Sequence, residues 1–227
     1  MPAALPIPAA EHSDPARRKI MDAAGEIFAE HGFQSATVRE ICAQAGVNIA
    51  SVNYYFGDKA GLYLEVLRES TCSAHSEITR AVAQSGPPEK ILRGVVFGMC
   101  RAMIASANRP SAFRIMAHEL SRPTQALDRV VEEVIGPSYL HLRSTLGAIL
   151  DLPADHTTTR LCAHSVIAQI IHYKSSRPVI SRVWPDLEMT EKDVDMLAEH
   201  IYTFSLNSVK HIARKHKATQ LRKQHAH

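Results

Sequence analysis

Between Thr37 and Tyr63 the chain reads TVREICAQAGVNIASVNYYFGDKAGLY, and its polar side chains recur at spacings suited to a DNA duplex. Ala50 and Ser51 are small enough to bring a backbone close to base edges, where Ser51 and Asn53 can both donate and accept. Tyr54 and Tyr55 are long enough to reach flanking phosphates. Lys59 stands beside Asp58, which is placed to cap the next helix, and is aimed at a phosphate. Thr37 and Arg39 open the preceding helix, and Asn48 opens the one that carries the serine. The expected DNA contacts are therefore Thr37, Arg39, Asn48, Ala50, Ser51, Asn53, Tyr54, Tyr55 and Lys59. Phe56 reads as a core residue instead.

Other chemistries leave little trace. There is no glycine-rich phosphate loop, no GxGxxG and no GxSxG, so no catalytic residue and no cofactor is expected. The thirteen histidines include no HExxH, and those near the end read as solvated surface groups rather than metal ligands. His118-Glu119 and Gln169 with His172-Tyr173 differ, because they interrupt apolar helical stretches where a buried polar group needs a partner. Two readings stand: an internal hydrogen-bonded pair, or the lining of a pocket. Phe97, Met99, Met103, Phe113, Met116, Tyr139 and Trp184 suit an adaptable apolar cavity between helices. The candidate ligand set is Phe97, Met103, Phe113, Met116, His118, Glu119, Tyr139, Gln169, His172 and Tyr173.

The elements that must position the DNA contacts follow from local signals. Ala43, Ala45 and Gly46 end one short helix, with the glycine where a left-handed residue stops it cheaply. Asn48 caps the next, and Ile41, Val47, Val52 and Phe56 hold the two together. That is a helix-turn-helix, whose second helix can enter a major groove. Before it, Ser13 or Asp14 caps a helix with Pro15 in its first turn. Ile20, Ala23, Ala24, Ile27 and Phe28 form its buried stripe, Gly32 ends it and Phe33 plugs back. Gly25 is expected to permit a close helix crossing. Thr37 and Glu40 make a capping box. A helix from Lys59 runs towards Val82 until Ser85-Gly86-Pro87-Pro88 breaks it.

Everything beyond reads as helical. Pro137 is expected to kink or divide a stretch from Ala126 to Leu150. Asp155 or Thr157 starts a helix closed at Arg177-Pro178, and a last helix runs from Thr190 past Ile212. Residues 1–12 read as a disordered arm, and residues 213–227 as a basic tail. The formal charge of +3 is weak evidence for nucleic acid. Up to Glu69 acidic residues outnumber basic ones, so a positive face must come from Arg17, Arg18, Lys19, Arg39 and Lys59. A content of 45% hydrophobic and 22% charged residues suits a globular protein, and no apolar run is long enough to span a bilayer. The start has no basic residue before its apolar part, so no signal peptide is expected. Four scattered cysteines suggest buried, reduced thiols in a cytoplasm.

The segments ARRKIMDAAGEIFAEHGFQSATVREICAQAGV and NYYFGDKAGLYLEVL resemble the tetracycline-repressor (TetR) family of transcriptional regulators. Most members have tyrosine where this chain has Asn53. RIMAHELSRPTQALDRVVEEVIGP, IAQIIHYKSSRPVISRVWPD and TEKDVDMLAEHIYTFSL resemble a CerR-type C-terminal domain. The resemblance implies an all-α protein: a helix-turn-helix head at 13–63 and a helical ligand-binding and dimerisation bundle at 64–212. It implies a homodimer on a pseudo-palindromic DNA operator, most simply a repressor, released by a small apolar or amphipathic effector. The dimer helices would be those around Ala163 to Tyr173 and Met196 to Ser208. The rival reading is an architectural protein that binds any duplex and needs no effector.

Overall fold

The structure is a computed structural model and describes residues 14–105 and 110–224; the arm expected at 1–12 lies outside them. Among the described residues every regular element is helical: α1 (Pro15–Ser35), α2 (Val38–Ala45), α3 (Ile49–Phe56), α4 (Lys59–Ala83), α5 (Pro88–Cys100), α6 (Pro110–Ser121), α7 (Gln125–Val130), α8 (Gly136–Leu150), α9 (Thr157–Ser175), α10 (Arg177–Val183) and α11 (Glu191–Gln224). Two compact units result, one from residues up to 71 with 110–132, the other from 72–105 with the residues after 132. Thus α6 and α7 pack in the first unit, whereas the sequence reading placed them in the C-terminal bundle.

In the first unit, Asp14 caps α1 by accepting from the Ala16 N–H at 2.8 Å. The stripe Ile20, Ala23, Ala24, Ile27 and Phe28 is buried as its helical spacing requires. The regular run of α1 breaks at Gly32, where φ is 70° and ψ 174°. That turn brings Phe33 within 4.8 Å of the Tyr63 ring, which meets Phe28 edge-on at 4.8 Å as well. Gly25 does not serve a close crossing: a Cβ built there meets nothing within 4 Å.

The second unit has its own core. Leu92, Val95, Val96 and Met99 of α5, Leu142 and Leu146 of α8, Val166 and Ile170 of α9, and Val194, Leu197 and Ile201 of α11 are buried in it. Before Pro137, which has no N–H to donate, residues Val131–Ile135 form a π-helical turn that separates α7 from α8. The cap of α9 is neither Asp155 nor Thr157 but His156, whose Nδ1 accepts from the Thr158 N–H at 3.2 Å. Nor does the chain go straight from α9 to the last helix. Ser176 leads into the short α10, with Pro178 in the first turn where its missing N–H costs nothing. Thr190 and Asp193 form a capping box at the start of α11, and that helix continues through the expected tail to Gln224. Cys42, Cys100 and Cys162 are buried, and burial raises each thiol pKa, Cys100 to about 12; Cys72 is exposed, against the expectation of four buried thiols.

Two glycines respond oppositely to a methyl group. Gly25→Ala adds a side chain in open space within a helix and stabilises by about 0.4–1 kcal/mol. Gly61→Ala brings a Cβ to 2.1 Å from the Phe56 carbonyl oxygen, and such overpacking costs about 1–3 kcal/mol. Urea unfolding midpoints of the two variants should move in opposite directions.

Candidate nucleic-acid interface

The pair of helices at the expected interface is held by backbone caps at each end. Thr37 and Glu40 exchange bonds at the start of α2: the Glu40 N–H donates to Thr37 Oγ1 at 3.2 Å, and the Thr37 N–H donates to Glu40 Oε2 at 2.9 Å. Gly46 closes α2 in the left-handed region, φ 66° and ψ 37°, and the Val47 N–H donates back to the Cys42 carbonyl at 3.0 Å. Asn48 Oδ1 then accepts from the Ala50 N–H at 3.0 Å and starts α3. Asp58 caps α4 through the Gly61 N–H at 2.7 Å. Each of these four devices is local, which is why short helices with little core of their own keep their ends.

Burial divides α3 cleanly. Val52 is fully buried, as is Ile41 on α2, while Val47 and Phe56 are half-buried. Ala50, Asn53 and Tyr54 are exposed, Tyr54 to 81%, and Ser51 is half-buried beside them. Thr37, Arg39 and Asn48 are also exposed. Tyr55 is placed differently: its hydroxyl donates to the Asp14 carboxylate, so it ties α3 to the start of α1. The bond lowers the Asp14 pKa and raises that of Tyr55.

The basic residues are less available than their number suggests. Arg17 pairs with Glu65 at 3.2 Å and lies over the Phe56 ring, and Arg18 pairs with Asp22 at 2.8 Å and Glu69 at 3.1 Å. Lys59 donates to the Gln34 carbonyl at 3.3 Å, with its ammonium 4.7 Å from the Phe33 ring centroid. Burial there lowers its pKa, and Glu40 partly opposes the shift. Lys19 and Arg39 are exposed.

Behind these helices sits a group that the sequence flagged without resolving. Glu119 of α6 is fully buried, and its carboxylate accepts from the Tyr63 hydroxyl at 2.6 Å, the Thr124 N–H at 3.0 Å and the Thr124 hydroxyl at 3.0 Å. Burial and this bond push the Tyr63 phenol well above its ordinary range. Next to it, His118 Nε2 donates to the Ala29 carbonyl at 3.3 Å, and its ring lies 3.1 Å from where a Gly32 side chain would begin. The internal-pair reading of His118-Glu119 is what the geometry presents. Tyr63 and Thr124 as its partners were missed, since nothing local relates residues 56 and 5 positions away from Glu119.

The candidate ligand residues divide between the two units. Phe113, Met116, His118 and Glu119 belong to the first unit; Phe97, Met103, Tyr139, Gln169, His172 and Tyr173 belong to the second. Phe97 lies under Arg93 and Arg101. Gln169 donates to Ser205 Oγ at 3.1 Å, while His172 is exposed and pairs with Ser176 at 3.2 Å.

A capped helix-turn-helix that leaves Asn53 and Tyr54 of its second helix exposed points to a DNA-binding protein. Comparison with known proteins narrows the class. Residues 20–66 match the family described as bacterial regulatory proteins, tetR family, and residues 88–209 match the C-terminal domain of the HTH-type transcriptional dual regulator CecR. The chain is 32% identical over 175 residues to CecR of Shigella flexneri, covering 73% of this chain and 78% of that one. FadR of Bacillus halodurans shares the fold with a TM-score of 0.63 at 19% identity, over 86% of this chain and 96% of that one. FadR of Bacillus subtilis, solved with stearoyl-CoA, has a TM-score of 0.59 at 16% identity, over 83% and 97%. This chain belongs to the TetR family of DNA-binding transcriptional regulators, and its C-terminal domain, named CerR-type above, is of the CecR type. Among the described residues no helix is long and apolar enough to cross a membrane.

Removing the buried acceptor should be costly here. Glu119→Gln replaces one acceptor oxygen with an amino group facing donors, at about 1–3 kcal/mol. Tyr63→Phe leaves Glu119 with the two Thr124 donors and should cost less. Thermal melting of both variants measures the order, and equal melting points for Glu119→Gln and the unaltered chain would remove the carboxylate from this role.

Proposed function

We propose that the protein is a cytoplasmic homodimeric repressor that reads a pseudo-palindromic operator and is released from it by a small apolar or amphipathic effector. The observation that carries the reading is the division of α3: one buried valine anchors it, while Ile49, Ala50, Asn53 and Tyr54 are left exposed with Ser51 half-buried beside them. In that reading Ser51 and Asn53 contact base edges, with Ala50 admitting the backbone. Thr37, Arg39, Asn48, Tyr54 and Lys59 hold phosphates and fix the register. Tyr55 serves by keeping α3 on α1.

A second copy is the occupant best suited to the apolar face of α9 and α11. Leu161, Ile171, Met196 and Phe204 are large apolar side chains left 40% exposed or more. Phe204, Asn207, Ser208, His211 and Ile212 continue an open, mostly apolar surface along α11. Such a face favours an isologous contact between identical helices. Two heads then meet two half-sites. That a structural relative was solved with stearoyl-CoA supports an amphipathic effector.

Titrating upstream DNA of the protein's own gene against a random duplex tests the reading, and equal affinities would favour the architectural rival. Lys59→Ala should weaken all sequences alike and reduce the salt slope by about one unit. Asn53→Ala should instead change the preferred base pairs, at about 1–3 kcal/mol on the best site. Selection of sites by both variants separates the roles; an unchanged consensus for Asn53→Ala would end its assignment to bases. Dimeric binding is checked by inserting five base pairs between half-sites, about half a helical turn. Most of the affinity should disappear, and undiminished binding would mean that the heads act alone.

A further inference from the structure

Nearly every buried polar atom described so far has a partner, and the exceptions are few. Among the described residues, Tyr139 Oη, Arg143 Nε and His75 Nδ1 are buried without one. Two of the three are neighbours. Tyr139 and Arg143 lie one turn apart on α8, on the same face, with the Arg143 guanidinium 5.0 Å from the centroid of the tyrosine ring. The His164 ring of α9 lies 5.2 Å from the same tyrosine. Two arginines of this unit meet carboxylates across helices: Arg101 makes a two-pronged contact with Asp195 at 3.0 and 3.1 Å, and Arg93 meets Glu199 at 2.8 Å. Arg143 meets no carboxylate among the described residues.

We propose that Arg143 and Tyr139 form a head-group subsite in the second unit for an organic anion, a carboxylate or phosphate carried on an apolar chain. The chemistry follows from what is missing. A guanidinium N–H and a phenol O–H are both donors, so their common complement is an acceptor oxygen, and the cation makes it an anionic one. A buried donor left without an acceptor costs free energy, so occupation by an anion recovers a penalty already present. Tyr139 also packs against the unit's apolar core, so the subsite borders surface that suits an aliphatic chain. The proposal rests on the effector reading above and specifies its chemistry: the ligand is amphipathic with a negative end.

Calorimetric titration of the full chain with decanoate, decyl phosphate and decan-1-ol, each below its aggregation concentration, tests this. At least one anion should bind about tenfold more tightly than the alcohol. Arg143→Gln should erase that difference by weakening the anions more than the alcohol, and Tyr139→Phe should reduce it. The preferred anion tells carboxylate from phosphate. Arg143→Lys keeps the charge without the Nε donor and guards against a misfolded glutamine variant; it too should narrow the preference. Equal binding of all three probes, no binding of any, or an anion preference retained in both Arg143 variants overturns the subsite. Operator binding is followed in parallel with the same probes. Anion binding that depends on Arg143 yet leaves operator affinity unchanged refutes the effector reading and keeps the subsite. Release of the operator by decanol and decanoate alike, in the unaltered chain and both Arg143 variants, does the reverse.

Discussion

The first unit depends on one buried carboxylate. Glu119 has no solvent, so its acceptor oxygens must be met by protein donors, and three are supplied by Tyr63 and Thr124. One donor comes from α4 and two from the residue preceding α7, so satisfying the carboxylate positions three segments at once. Tyr63 turns its ring to Phe28 and Phe33, and Phe33 in turn lies beneath Lys59. A continuous set of contacts therefore runs from the interior carboxylate to the first turn of α4, next to the recognition helix. His118 adds a bond to the last turn of α1, where Gly32 alone leaves room for its ring.

Positive charge in this unit is largely spent on architecture. Arg17 and Arg18 are paired with Glu65, Asp22 and Glu69, and such partly exposed pairs contribute little net stability. Their effect is to keep guanidinium groups against α4. What remains for a duplex is a small number of donors on a face shaped by caps, which agrees with an acidic excess in the first 69 residues.

The second unit spends its polar groups differently. Surface forks such as Arg101 with Asp195 join α11 to Arg101–Ala105, a π-helical turn that follows α5. On α8, by contrast, Tyr139 and Arg143 keep buried donors unmatched beside an apolar core.

Much of this molecule was legible from its sequence. Caps, breakers and helical periodicity act over four residues or fewer, so a cap at Ser13 or Asp14, Thr37 with Glu40, Gly46, Asn48 and the break at Ser85 to Pro88 could be read directly, and with them the helix-turn-helix and the all-helical class. His118 and Glu119 could be recognised as needing partners because charge in an apolar stripe is costly wherever it sits. Which partners they found could not. Tyr63 is 56 positions from Glu119, and Tyr55 is 41 from Asp14; only the packing of α4 with α6 and of α3 with α1 brings them together. The same packing assigned α6 to the first unit. The sequence determined where helices begin and end, because those choices are local. The tertiary structure decided which polar groups satisfy one another, because hydrogen bonds between distant residues depend on a geometry that exists only once the helices are packed.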